Sequence, residues 1–147
     1  MNFDQITENL FVGGRLDDED WEVLRALGVA VNLNLREEKQ DVFDGVVPTV
    51  SFWLPTPDMK PPSMEVMVLG ARLIGTMVDA GYKVYVHCHY GVGRAPIVSA
   101  AYLVTTGMSA DEALALMRRK RPYADPTAAQ IERLREFASQ WERERET

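Results

Sequence analysis

The apolar positions change their spacing several times along the chain, and each change marks an element. Ile6 to Val12 is a β-favouring run closed by Gly13-Gly14, which reads as a strand pair or a strand with a tight turn. Asp17 stands where a helix N-cap belongs, ahead of Trp21, Leu24 and Leu27 at helical spacing. Val29 to Leu35 alternates as a strand does, then gives way to the polar loop Arg36-Glu37-Glu38-Lys39. Val50 to Leu54 reads as a further short strand, ended by Pro55 and Pro57. Pro61 and Pro62 open a helix expected to run to about Ala80, with Met64, Met67, Val68, Ala71, Ile74 and Val78 on its apolar stripe. After the turn signal Ala80-Gly81, Val84, Tyr85 and Val86 predict a buried strand. From Pro96, the residues Ile97, Val98, Ala100, Ala101, Leu103 and Val104 predict a buried helix that stops at Gly107. Ser109-x-x-Glu112 and Thr127-x-x-Gln130 are capping-box signatures, each ahead of a helical pattern.

Strands separated by helices imply an α/β fold, with a parallel or mixed central sheet flanked by helices. Such sheets hold ligands at the carboxyl ends of their strands. The sequence keeps its chemistry at one such end. His87-Cys88-His89-Tyr90-Gly91-Val92-Gly93-Arg94 contains the only cysteine and both histidines, with an arginine six positions after the cysteine. Backbone N–H groups between a strand end and a helix N-terminus can curl around an anion, aided by the positive end of the helix dipole. Gly91 and Gly93 permit unusual dihedrals and close approach of a ligand. Arg94 offers a planar fork for two oxygens of a phosphate. A cysteine in that setting is stabilised as the thiolate, the nucleophilic form. Cys88 and Arg94 facing one tetrahedral anion make half of a phosphoryl-transfer site; the other half is an acid for the leaving oxygen.

Length and composition fit one domain over residues 1–147. A net charge of −6 argues against a nucleic-acid binder or a partner of anionic membranes, so an anionic substrate must be drawn in by local groups. Arg72 interrupts the longest apolar stretch, Val66 to Val78, well short of a membrane span. A single cysteine forms no internal disulfide and suits a reducing compartment. With no secretory pattern at Met1-Asn2-Phe3-Asp4 and no lipidation motif in Arg143-Glu144-Arg145-Glu146-Thr147, a cytoplasmic location is expected. His87, Cys88 and His89 are adjacent at a strand end and cannot readily converge on one ion, so neither a metal nor another cofactor is called for. The basic run Arg118-Arg119-Lys120-Arg121 reads as a solvated helix end that complements the dipole.

The segment resembles the signature of the protein tyrosine and dual-specificity phosphatases, His-Cys-x-x-Gly-x-x-Arg followed by Ser or Thr. Gly93 is similar to the dual-specificity branch, and the ending Gly93-Arg94-Ala95-Pro96 to the phosphatases of regenerating liver, whose prenylated tail and second cysteine are absent here. The resemblance implies Cys88 as nucleophile, with His89, Tyr90, Gly91, Val92, Gly93 and Arg94 around the phosphate. It implies a mobile loop carrying the general acid, for which Asp58 in Thr56-Pro57-Asp58 is the candidate; the alternative is that Asp58 caps the helix near Pro62 or ends a turn. Asp41, Asp44 and Glu65 are the reserves. It further implies that His87 orders the loop and that Gln130 orients the hydrolytic water, although a capping role explains Gln130 equally well. His89 either lines the pocket mouth or touches substrate.

Ala95 departs from the pattern, because the family places a hydroxyl there to stabilise the departing thiolate. A competent first step and a slow second one are expected. The implied partner is a phosphorylated protein or peptide, with phosphotyrosine the preferred target and phosphoserine or phosphothreonine also accepted. Two alternatives stand beside it: a phosphatase of a phosphoinositide, sugar phosphate or RNA 5′ end, and a low-turnover phosphate-recognition module.

Overall fold

The apolar run that leads to the cysteine becomes a central strand. The computed structural model describes residues 1–146, in which ten elements follow one another: β1 (Phe3–Thr7), β2 (Leu10–Gly13), α1 (Asp18–Ala26), β3 (Val29–Arg36), β4 (Val50–Thr56), α2 (Met64–Asp79), β5 (Lys83–His87), α3 (Arg94–Thr105), α4 (Ala110–Lys120) and α5 (Ala128–Glu146). The strands form one sheet in the order β1-β2-β5-β3-β4. β2, β5, β3 and β4 run parallel and β1 closes the edge as an antiparallel hairpin on β2, so the sheet is mixed.

Side-chain alternation divides the core by sheet face. Leu10, Val12, Val84, Val86, Leu33 and Leu35 pack with α2, α3, α4 and α5. Phe11 and Tyr85 point the other way and meet Trp21 and Leu24 of α1. α1 is capped as expected, by a reciprocal pair in which Asp17 accepts from the Asp20 backbone and Asp20 from the Asp17 backbone. The α4 capping box at Ser109 and Glu112 is likewise present.

Two local expectations need correction. β4 continues through Pro55 to Thr56, because it is an edge strand on which a missing N–H costs no ladder bond. α2 begins at Met64 under a Ser63 cap that accepts from Val66 N, leaving Pro61 and Pro62 ahead of the helix. β3 alternates in polarity yet is buried on both faces: Asn32, Asn34 and Arg36 lie beneath the chain that follows the strand.

α3 is buried on every side from Arg94 to Val104, so the helix leaving the cysteine loop is anchored through the middle of the core. It packs closely on α2, where a Cβ on Gly70 would collide with Val98. No helix among the described residues is long and apolar enough to cross a membrane.

Candidate active site

β5 ends at His87 and α3 begins at Arg94, so residues 88–93 form the connection at the carboxyl edge of the sheet. The carbonyls of this loop are all met from outside it. That of Cys88 faces His87 Nδ1 at 3.3 Å, that of His89 accepts from Arg15 N at 2.9 Å, and that of Val92 accepts from Asp125 N at 2.9 Å. The carbonyls of Tyr90 and Gly91 accept from the Arg121 guanidinium. Among the described residues, the amides of 89–93 meet no protein acceptor. A ring of unpaired N–H groups at a helix N-terminus is an anion cradle. Gly91 is required by this geometry: its φ is +71°, and a Cβ would come within 2.5 Å of Gly13 and of Arg121.

Cys88 and Arg94 share a cleft of about 490 Å³ with Asp58, Met59, Tyr90, Val92, Gly93, Asp125, Pro126, Thr127 and Gln130. The Arg94 side chain is almost wholly buried and held in a bidentate pair with Glu38, Nη1 to Oε1 at 2.8 Å and Nη2 to Oε2 at 2.9 Å. Nη1 also donates to the Thr56 carbonyl at 2.9 Å, and Asp58 Oδ1 lies 3.3 Å from Nη2. Nε is buried with no partner among the described residues. A buried, unpaired guanidinium N–H at a cleft that also holds unpaired amides marks the place of an oxyanion. The hydrogen bonds from Arg94 hold the Glu38 carboxyl down at about 2. Burial alone would lower the Arg94 value, but the bonds to Glu38 and the charges of Cys88 and Asp58 raise it.

Asp58 follows β4 and reaches the cleft opposite the cysteine loop. Its Oδ1 accepts from Met59 N at 2.9 Å, and Met59 adopts φ +65°, a left-handed conformation that costs a non-glycine residue about 1–3 kcal/mol. The cleft contains Asp58 and none of its reserves. Asp41 lies in a buried network, and Asp44 and Glu65 do not line the cleft.

That network supports the loop from below. Asp41 Oδ2 faces His87 Nε2 at 2.7 Å and accepts from Asn32 Nδ2 at 2.8 Å, while its Oδ1 pairs with Arg36 at 2.6 Å. His87 stacks on Tyr85, with ring centroids 5.5 Å apart. Burial pushes the Asp41 carboxyl up, and its bonds to His87 and Asn32 and the charges of His87 and Arg36 outweigh that, leaving it below 3.8. Because the folded value is depressed, the stability contributed is complete above the unfolded carboxylate range near pH ~4 and is lost as pH falls through the folded value. Asp41→Asn takes from the buried Arg36 guanidinium the carboxylate it pairs with, so urea denaturation at pH 7 should show a loss of roughly 3–5 kcal/mol. The variant should also decline less steeply than wild type below that range; an unchanged acid slope would assign the titration to other groups.

Gln130 caps α5 and also lines the cleft. Its Oε1 accepts from Thr127 N at 2.9 Å as part of the α5 cap, and its Nε2 donates to the Lys60 carbonyl at 3.2 Å, beside Asp58. Its carboxamide lies against Gly93, where a Cβ would sit 2.5 Å from Oε1. The His89 ring turns away from the cleft toward Arg15 and Tyr90. Ala95 is fully buried in the first turn of α3.

Three site residues escaped the sequence reading: Glu38, Asp125 and Arg121. Glu38 sat in a polar run and Asp125 in a turn between proline and aromatic residues, with no motif to single out either. Arg121 corrects the reading of the basic run, because its side chain is fully buried against the loop.

Residues 10–140 match the family model of the dual specificity phosphatase catalytic domain. The chain belongs to that family. Its fold and site are those of a dual-specificity-phosphatase-type catalytic domain. It is 47% identical over 57 residues to zebrafish (Danio rerio) protein tyrosine phosphatase domain-containing protein 1, a stretch covering 38% of this chain and 8% of that protein. It is 27% identical over 138 residues to mouse (Mus musculus) dual specificity protein phosphatase 1, covering 92% of this chain and 37% of that one. The chain thus spans a minor part of these relatives. Among solved structures, Tk-PTP in its active form superposes with a TM-score of 0.81 at 28% identity, covering 94% of this chain and 97% of that one. PTPMT1 in complex with PI(5)P superposes with a TM-score of 0.85 at 20% identity, covering 99% of both chains.

Proposed function

We propose that the protein hydrolyses phosphorylated protein side chains, phosphotyrosine first and phosphoserine or phosphothreonine with it, through a phosphocysteine intermediate. The Cys88 thiolate attacks phosphorus, a P–S bond forms, and the P–O bond to the side chain breaks as Asp58 delivers a proton to the leaving oxygen. Water then attacks the phosphocysteine, Asp58 takes its proton, and the P–S bond breaks to return the thiolate and release inorganic phosphate. The amides of the loop and the Arg94 Nε–H and Nη2 bear the charge on the equatorial oxygens throughout. Glu38 keeps the guanidinium plane in place, and Gln130 lies where it can hold the attacking water.

The lining of the cleft supports a protein substrate. Met59, Tyr90, Val92 and Pro126 give it apolar walls, and Arg94 is the only cation among the described residues that line it, beside the carboxylates of Asp58 and Asp125. An aromatic phosphate gains from such walls, whereas a headgroup with several phosphates needs further cations. PTPMT1 shares this fold and is complexed with PI(5)P, which makes a phosphoinositide the informative competitor. Phosphate release from phosphotyrosine, phosphoserine and phosphothreonine peptides, PI(5)P and a 5′-phosphorylated RNA should be fastest with phosphotyrosine. Turnover confined to the lipid or the RNA would overturn the protein reading and leave the cysteine chemistry in place. A lone nucleophilic thiol suits a reducing compartment, which supports a cytoplasmic setting for this activity.

Ala95 gives the second step a defect. A hydroxyl donating to a departing thiolate contributes roughly 1.5–3 kcal/mol, so its absence slows dephosphorylation about 10- to 100-fold. Stopped-flow with p-nitrophenyl phosphate should show a burst approaching one equivalent per enzyme, and Ala95→Ser should raise the steady rate by that factor. No burst, together with an unchanged rate in the serine variant, would count against it.

A further inference from the structure

The buried arginine at the end of α4 is engaged almost entirely by the phosphate loop and the first residues of the chain. Arg121 Nε donates to the Gly91 carbonyl at 2.8 Å and Nη2 to the Tyr90 carbonyl at 3.0 Å. Nη2 also donates to Asn2 Oδ1 and Nη1 to Asp4 Oδ2, each at 2.8 Å. Asn2 reinforces the contact from its side, donating from Nδ2 to the Tyr90 carbonyl at 2.9 Å, while its own carbonyl accepts from Gly14 N. Taking a guanidinium out of water is costly unless its donors are satisfied. Here four of its contacts satisfy it, and two of them fall on backbone carbonyls of the cradle.

The consequence follows from the planarity of the peptide. In a trans peptide the C=O and the N–H point in opposite directions. Holding the Tyr90 and Gly91 carbonyls against Arg121 therefore aims the N–H groups of Gly91 and Val92 away from it, toward the side on which these amides have no protein acceptor. Gly91 makes the loop pliable, since glycine explores dihedrals closed to other residues, and either peptide could turn over without that restraint.

We infer that Arg121, with Asn2 and Asp4 behind it, is a positioning clamp that presets two of the loop amides for the phosphate before substrate arrives. β1 is thereby part of the apparatus that readies the loop. The inference rests on the proposed phosphatase reading of this site.

The test uses the whole chain, with orthovanadate and inorganic phosphate as probes of the cradle. Arg121→Lys keeps a charge but cannot reach all four acceptors at once. It should weaken orthovanadate binding and lower kcat/KM about 10- to 100-fold, the scale of a misaligned site, at temperatures where circular dichroism shows the fold intact. Asn2→Ala and Asp4→Asn, which loosen the outer end of the clamp, should shift both quantities in the same direction by a smaller factor. A folded Arg121→Lys protein that binds orthovanadate within about twofold of wild type overturns the clamp, since twofold is well below the smallest loss the misaligned site predicts. If that variant does not fold, wild-type affinity in both Asn2→Ala and Asp4→Asn overturns it equally. Failure of the phosphatase reading is distinct: wild type itself would then bind neither probe and release no phosphate.

Discussion

Replacing Cys88 by serine should stop turnover while leaving the phosphate cradle in working order. The substitution changes one atom in a nearly fully buried residue, so the fold should survive. Serine is a poor nucleophile unless a base removes its proton. The nearest histidine cannot serve, because its Nε2 is engaged by Asp41 and its Nδ1 faces the Cys88 carbonyl. The expected loss is about 10⁴-fold or more, the scale on which removing the nucleophile costs an enzyme that works through a covalent intermediate. Binding should move little, since the unpaired amides and the Arg94 Nε–H remain. Calorimetric titration should still show the phosphotyrosine peptide binding, and steady-state assays should return no phosphate. Residual turnover within tenfold of wild type would remove the thiolate from the mechanism.

The loop that makes this prediction possible was legible because its signals are local. Cys88, Arg94, Gly91 and Gly93 fall within one short segment, and the strand before it and the helix after it are fixed by their own apolar patterns. The caps at Asp17, Ser109 and Thr127 were legible for the same reason, being reciprocal bonds across three residues. Strand order carries no such signature. β3 lies beside β5 although α2 and β4 separate them along the chain, and only this adjacency brings Glu38, just past β3, onto Arg94, 56 residues away. Arg121 meets Gly91 across 30 residues and Asp4 across 117, so nothing in its own neighbourhood distinguishes it from Arg118, Arg119 and Lys120. Pro55 misled in the opposite sense: it breaks a central strand, and that β4 lies at an edge is a fact of topology.

Asp58 stands between these cases, named from its place after a strand and tested by where that strand ends. Asp58→Asn should lower kcat/KM, which reports the first step, about 10²- to 10⁴-fold on a phosphotyrosine or phosphoserine peptide, the contribution of a positioned general acid. The amide keeps the size of the side chain and can still accept from Met59 N, so the loop that Gln130 ties down at Lys60 should keep its form. The loss should depend on the leaving group. An alkoxide needs its proton in the transition state, whereas p-nitrophenolate departs nearly unaided, so serine peptides should suffer most and p-nitrophenyl phosphate least. Asp125, the other carboxylate in the cleft, is the internal control. If Asp58→Asn retains its rate while Asp125→Asn loses it, the acid belongs to the turn before α5, with the nucleophile and the arginine unchanged.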